Sequence, residues 1–230
     1  MSNVELNPEQ ILGLQDSHII DMGQQRLDAH TAHAFTSLQE AAARDGFALE
    51  IVSSYRSFER QAWIWNQKAT GQRPVLDIHS VPIDIKQLTP EQLVEEILNW
   101  SALPGTSRHH WGTDFDIYDA KTMTPETLQL IPQEYESGGP CASLFNWLSQ
   151  HAHNYHFFWP YASERGGIHV EPWHLSYAPR SNQALHDFPE ALLYQTLEQK
   201  DIKLKEVILP LLPQILKKYV YNINHPPFTS

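Results

Sequence analysis

Two separated segments of this chain hold residues that can gather a metal cation. The first is Ser107-Arg108-His109-His110-Trp111-Gly112-Thr113-Asp114-Phe115-Asp116. His109 and Asp116 stand seven positions apart, with Gly112 between them to turn the backbone. Past that turn the pattern alternates, so a strand would carry Asp114, Asp116 and Tyr118 on one face and Phe115 and Ile117 on the other. An imidazole before the turn and a carboxylate after it can converge on one cation, and zinc takes both ligand types at about 2.0–2.2 Å. The same residues also read as a polar turn leading into an amphipathic strand. The second segment is Glu171-Pro172-Trp173-His174. A glutamate three residues before a histidine fits the division of labour in hydrolytic zinc sites, where the histidine binds metal and the carboxylate accepts a proton from water. Alone, an E-x-x-H is common surface chemistry. Together the two segments supply two histidines and one aspartate. Three protein ligands leave a fourth position for water, which is how catalytic zinc sites differ from closed structural ones.

A third candidate is Arg56, in Ser53-Ser54-Tyr55-Arg56-Ser57, with Gln61 five residues on. An arginine there can offer its guanidinium fork to a carboxylate or to a developing oxyanion. The competing reading pairs it with a local acid such as Glu59. Other eye-catching residues carry bland readings. His110 should point away from His109 in an extended segment. His151, His153 and His156 share no helix face and read as helix-end and loop residues. His169, two before Glu171, would share its face in a strand, but a role in supporting the site is the less favoured reading. Of Trp63 and Trp65, two apart on a helix, at most one is core. Cys141 reads as a small buried residue.

The chain has 230 residues, with 16 Lys and Arg against 27 Asp and Glu, for a net charge of −11. That balance excludes a general nucleic-acid binder, which needs a basic face, and equally a surface that docks on anionic lipid. Apolar residues make up 41% and the chain holds seven Trp and nine Tyr, so it is globular rather than disordered. A single cysteine excludes an intrachain disulfide and Cys-rich zinc modules, while thirteen histidines leave ample metal ligands. The opening MSNVELNPEQILGLQD has neither a basic nor an apolar leader region, and the apolar stretch at 207–216 is short and holds two prolines. These features read as a cytoplasmic protein.

The elements that must position these residues follow from periodicity and caps. Helices are expected over 24–45, 57–70 (capped by Ser57), 89–100 (capped by Thr89, with Pro90 in the first turn) and 140–153. Two more are expected across 189–222, the second interrupted by Pro210 and Pro213. Strands are expected over 47–53, 113–118 and 167–175. Strands scattered among helices without βα alternation imply an α+β fold. The chain reads as a single domain over 1–230, with a core at about 24–180 and a C-terminal helical extension at about 189–222.

SSYRSFERQ, SRHHWGTDFDI and EPWHLSY, in this order and spacing, resemble the VanY-type zinc D-alanyl-D-alanine carboxypeptidases. The resemblance covers about 24–177 and rests on Tyr55-Arg56, on Ser107-x-His109 with Asp116, and on Glu171 with His174. It implies a hedgehog/DD-peptidase-like fold, a small central antiparallel sheet flanked by helices. It implies Zn2+ held by His109, Asp116 and His174, with Glu171 as general base and Arg56 stabilising the substrate carbonyl. Tyr55, Gln61 and Ser107 would help bind the substrate, a peptidoglycan stem peptide. Many relatives carry a small residue where Asp114 stands, so an extra carboxylate either supports a ligand histidine or faces solvent. The implied reaction is removal of a C-terminal D-Ala, taken as L,D-carboxypeptidase action on tetrapeptides in cell-wall recycling. D,D-carboxypeptidase, D-Ala-D-Ala dipeptidase and a non-catalytic zinc binding module are the alternatives.

Overall fold

The computed structural model describes residues 5–227, so the first four residues of the opening segment lie outside it. A one-turn helix α1 (Pro8–Ile11) is capped by Asn7 and leads into a hairpin of β1 (Ile19–Met22) and β2 (Gln25–Asp28). Helix α2 (Ala29–Arg44), strand β3 (Leu49–Ser53), helix α3 (Phe58–Ala69) and helix α4 (Pro90–Leu98) follow. Then come β4 (Asp114–Asp119), α5 (Ala142–His151), β5 (Phe157–Phe158) and β6 (His174–Tyr177). Three helices close the chain: α6 (Ala178–His186), α7 (Glu190–Gln199) and α8 (Lys205–Ile215), the last continued by a π-helical turn, Leu216–Val220. The fold is α+β, as expected.

The main sheet is antiparallel, in the order β3-β4-β6-β5, with β4 buried along its whole length. Phe115 and Ile117 point from β4 into a core shared with Phe35 and Leu38 of α2 and Leu144 and Leu148 of α5. A second core joins Phe58 and Trp65 of α3 to Val94 and Ile97 of α4, Leu193 of α7 and Leu212 of α8. The C-terminal helices are therefore packed on α3 and α4, and each buried aliphatic or aromatic side chain contributes about 1.5–3 kcal/mol. Among the described residues, no helix is long and apolar enough to cross a membrane.

Ser57 and Thr89 cap α3 and α4 as expected, and Trp65 is core while Trp63 is exposed. Four expectations need correction. The helix expected over 24–45 begins only at Ala29, because Asp28 ends a strand and its carboxylate accepts the amides of His30 and Thr31. Residues 167–173 are not a strand: Pro172 has no N–H to give a ladder, and Gly167 lies against the Lys218 carbonyl, where a Cβ would come within 2.3 Å. Pro210 and Pro213 do not interrupt α8, since both are exposed and the carbonyls they leave unpaired can meet water. Strand β1 and helix α6 fall outside the elements read from periodicity.

Asp28 joins several of these parts. It caps α2, it receives the Arg180 guanidinium of α6 at 3.2 Å, and its own N–H donates to the Gly112 carbonyl at 2.9 Å. Gly112 has φ +67, and a Cβ there would strike Ile19 at 2.3 Å and the Asp28 nitrogen at 2.7 Å. Only glycine fits this turn, which carries the chain from His109 into β4. Removing Asp28 strips a buried cap and one buried ion-pair partner of Arg180. We expect Asp28→Ala to lower stability by about 3–5 kcal/mol in urea unfolding. Thr89→Ala, at an exposed cap, should cost about 1 kcal/mol.

Candidate metal centre

His109 sits in a 3-10 turn, Arg108–Trp111, while Asp116 and His174 lie directly opposite each other on β4 and β6. All three are buried, and one donor atom from each falls within 4.8 Å of the others. Hydrogen bonds select the donors. His109 Nδ1 meets the Ser54 carbonyl at 3.0 Å, an acceptor that requires N–H there and leaves Nε2 with a lone pair. His174 Nε2 meets Asp114 Oδ1 at 3.1 Å, which leaves its Nδ1 free. These two freed nitrogens face Asp116, with His109 Nε2 3.5 Å from Oδ2 and His174 Nδ1 3.4 Å from Oδ1. Two ligands at about 2.1 Å from a tetrahedral centre are themselves about 3.4 Å apart. Asp116 Oδ1 is buried and makes no hydrogen bond. The donor set, its spacing and this orphaned oxygen all fit a bound divalent cation.

Asp114 supports a ligand histidine rather than facing solvent. It has no exposed surface and accepts from Arg108 Nε at 2.7 Å, Thr113 Oγ1 at 2.6 Å and His174. Burial opposes its charge, yet Arg108 and His174 hold its carboxyl down at about 2. Burial pushes His109 down to about 3, so its ring is neutral and can donate a lone pair at neutral pH. Burial also opposes a charge on His174, but the carboxylates of Asp114, Asp116 and Glu171 overcome it and raise that ring well above its usual value. The same three carboxylates favour any cation placed among them.

Glu171 stands beside this cluster, Oε2 3.2 Å from His174 Nδ1, and burial raises its carboxyl. Arg56 lines a cavity of about 440 Å³ together with Ser107, His109, Asp116, Glu171 and His174. Its guanidinium donates to Gln61 Oε1 at 2.8 Å and Ser53 Oγ at 3.0 Å, not to Glu59. Burial lowers its pKa, countered by Asp116 and Glu171. Gln61 is fully buried behind the wall, where its amide also donates to the Ala102 carbonyl. Tyr55 is not among the lining residues; its ring packs under Arg26 and against His18. His110 turns away as expected, bonded to the Arg56 carbonyl and the Gly105 amide. His169 pairs with Glu164 and packs at a tilt against Trp100, and it is not one of the three clustered donors. Cys141 is buried. Sequence reasoning missed the Ser54 carbonyl, Arg108, and Tyr161, whose ring meets His174 edge-on at 5.0 Å. The six-residue spacing of Arg108 from Asp114 was the only available signal among them.

A buried two-histidine, one-carboxylate cluster with a second carboxylate beside it and a guanidinium on the wall of the same cavity defines a metallohydrolase-type site. Residues 24–180 match the D-alanyl-D-alanine carboxypeptidase family VanY, and the chain belongs to that family of peptidases. An uncharacterised Haemophilus influenzae protein is 38% identical over 105 residues, 44% of this chain and 72% of its own length. An Enterococcus faecalis D-alanyl-D-alanine carboxypeptidase is 26% identical over 156 residues, 66% of this chain and 48% of its own length. The fold is shared with the vancomycin-resistance D,D-pentapeptidase VanY in complex with Zn(II), at TM-score 0.53 and 20% identity, covering 84% of this chain and 90% of that one. It is shared too with the LD-carboxypeptidase LdcB, at TM-score 0.52 and 20% identity, covering 89% and 79%.

His109→Ala should abolish stoichiometric retention of a divalent cation, read by metal analysis after gel filtration. Asp114→Asn keeps all three ligands but loses the anionic partner of His174. It should weaken cation affinity by about 10–100-fold in a chelator competition.

Proposed function

We propose that the cation is Zn2+, held by His109, Asp116 and His174, and that the protein hydrolyses the bond before a C-terminal D-Ala of peptidoglycan stem peptides. The observation that carries this reading is that Glu171, 3.2 Å from His174, and Arg56 line one cavity with the three-donor cluster. Zinc, when bound, supplies a Lewis acid and lowers the pKa of water toward about 7. Glu171 accepts the proton of the attacking water and later passes it to the leaving amine. Its buried setting moves its carboxyl toward the range in which a base works near neutrality. Arg56 donates to the carbonyl oxygen as that atom gains negative charge, and its bonds to Ser53 and Gln61 fix the guanidinium in advance. Ser107, on the cavity wall, contacts the terminal residue. Retention of a base beside the ligands supports turnover over a purely binding role.

The preferred bond is that of an L,D-carboxypeptidase acting on tetrapeptides. This choice goes with a cytoplasmic location. There a D,D activity would attack the cell's own wall precursors, whereas L,D cleavage trims fragments returned for recycling. The C-terminal helices belong to the same folding unit, a reading supported by the core they share with α3 and α4.

Incubation with purified tetrapeptide and pentapeptide muropeptides, followed by mass spectrometry, should show D-Ala released from the tetrapeptide. Release from the pentapeptide alone would make the enzyme a D,D-carboxypeptidase, and release from neither would remove the carboxypeptidase assignment. Glu171→Gln keeps the shape of the side chain but cannot accept a proton. Its turnover should fall by about 10²–10⁴-fold with the cation retained. Arg56→Lys should lower kcat, because an ammonium cannot reproduce the bidentate fork.

A further inference from the structure

Three cations line the cavity without an ion pair among the described residues: Arg56, Lys68 and Arg73. That is unusual in a chain whose acids outnumber its bases by 27 to 16. Arg56 has an evident task beside the cation site. Lys68 does not. It is half-buried on α3, and its ammonium donates to one neutral oxygen, Ser101 Oγ, at 2.7 Å. Burial, Arg73 and Arg56 together push its pKa down to about 8. A partly desolvated ammonium with one hydroxyl partner is costly unless an anion joins it.

The position of this ammonium is informative. Gln61 and Lys68 are seven residues apart, two turns along the same face of α3. Helical side chains lean toward the N-terminus, which carries Lys68 back toward Gln61. Both reach one short segment: Gln61 donates to the Ala102 carbonyl at 2.6 Å and Lys68 to the adjacent Ser101. Gln61 in turn accepts from Arg56. The guanidinium and the ammonium are thus successive stations on one wall. Gln61, which holds the guanidinium, and Lys68 itself are anchored on adjacent residues of the 101–102 segment, whose Cα atoms are about 3.8 Å apart. A scissile carbonyl and the terminal carboxylate beyond it are also separated by one residue.

We propose that Lys68, bridged to Ser101, anchors the terminal carboxylate of the substrate, leaving Arg56 to the carbonyl of the bond that breaks. Arg73, exposed at the rim and stacked on Trp63 at 5.3 Å, adds positive field on the same side. This assignment rests on the carboxypeptidase reading above. It explains how a strongly anionic protein can select a peptide by its negative end.

The test uses zinc-loaded Glu171→Gln protein and calorimetric binding of the stem peptide that the wild type cleaves faster, as free acid and as C-terminal amide. With Lys68 present, amidation should weaken binding by about 10–100-fold, the value of a hydrogen bond to a charged group. In the Lys68→Met background the free acid should weaken by a similar factor, and amidation should then change affinity less than about threefold. Lys68→Arg should restore part of the preference for the acid. Equal weakening of acid and amide in Lys68→Met, or an undiminished preference, would overturn the assignment. If Lys68→Met does not fold, the comparison of acid and amide in Lys68→Gln decides it by the same ratio. Wild-type protein that releases no C-terminal residue overturns the peptidase reading and this assignment with it. Wild-type turnover with an unchanged ratio overturns only the role of Lys68.

Discussion

Asp116 and His174 face each other across two adjacent antiparallel strands, and the site depends on that pairing. Opposed residues in such a ladder have Cβ atoms about 4.5–5.5 Å apart, close enough for two ligand atoms to share one cation. Asp114 lies two positions back on the same face and reaches His174 diagonally, which places the supporting carboxylate without any further element. A shift of one residue in β6 would set Leu175 opposite Asp116 and turn His174 to the other face. Burial of Phe115, Ile117 and Leu175 in the core on the other face resists that shift. Packing on one side of the sheet thus holds the chemistry on the other.

Around this pair buried charges hold one another in place, with Asp116 Oδ1 the one ligand-side oxygen left without a hydrogen bond among the described residues. Arg108 spans the site from beneath, donating to Asp114 and to Ser176 Oγ at 2.7 Å while its guanidinium lies 4.6 Å from the centre of the Trp111 ring. Its partner on the ligand side is therefore a carboxylate already engaged with His174. A chain of contacts runs Arg108, Asp114, His174: Arg108 donates to the Asp114 carboxylate, which accepts from His174 and places that ring's proton on Nε2. The Ser54 carbonyl does the same for His109 from the end of β3. Backbone and side chain together settle which nitrogen of each ring stays open.

Local signals in the sequence were the reliable ones. Ser57, Thr89-Pro90 and the alternation after Gly112 mark α3, α4 and β4 correctly because capping and strand burial act over a few residues. Residues 25–28 were misread because Leu27 continues the apolar spacing of α2; what makes them a strand is pairing with Ile19–Met22, a nonlocal contact. Residues 167–173 alternate like a strand, yet the Lys218 carbonyl and Pro172 decide their path. At the site, residue types with a preferred chemistry, His109, Asp116, Glu171 and His174, were legible from spacing. The Ser54 carbonyl was not, because a backbone oxygen has no residue type. Lys68 was not, because it belongs to no motif and gains meaning only when α3 is packed beside Ser101.

The ligands also differ in how far apart they lie along the chain. His109 and Asp116 flank one turn, whereas His174 is 174 − 116 = 58 residues beyond Asp116. The first two can come together by local folding, before the slower closure of a long loop brings in β6. A chain at that stage offers a cation only two of its three protein donors. The third bond forms only when β6 docks in the native register, so a bound cation rewards correct pairing and no other. The metal centre would then serve as a proofreader of the sheet, holding the last strand to be delivered in the one alignment that also makes an enzyme.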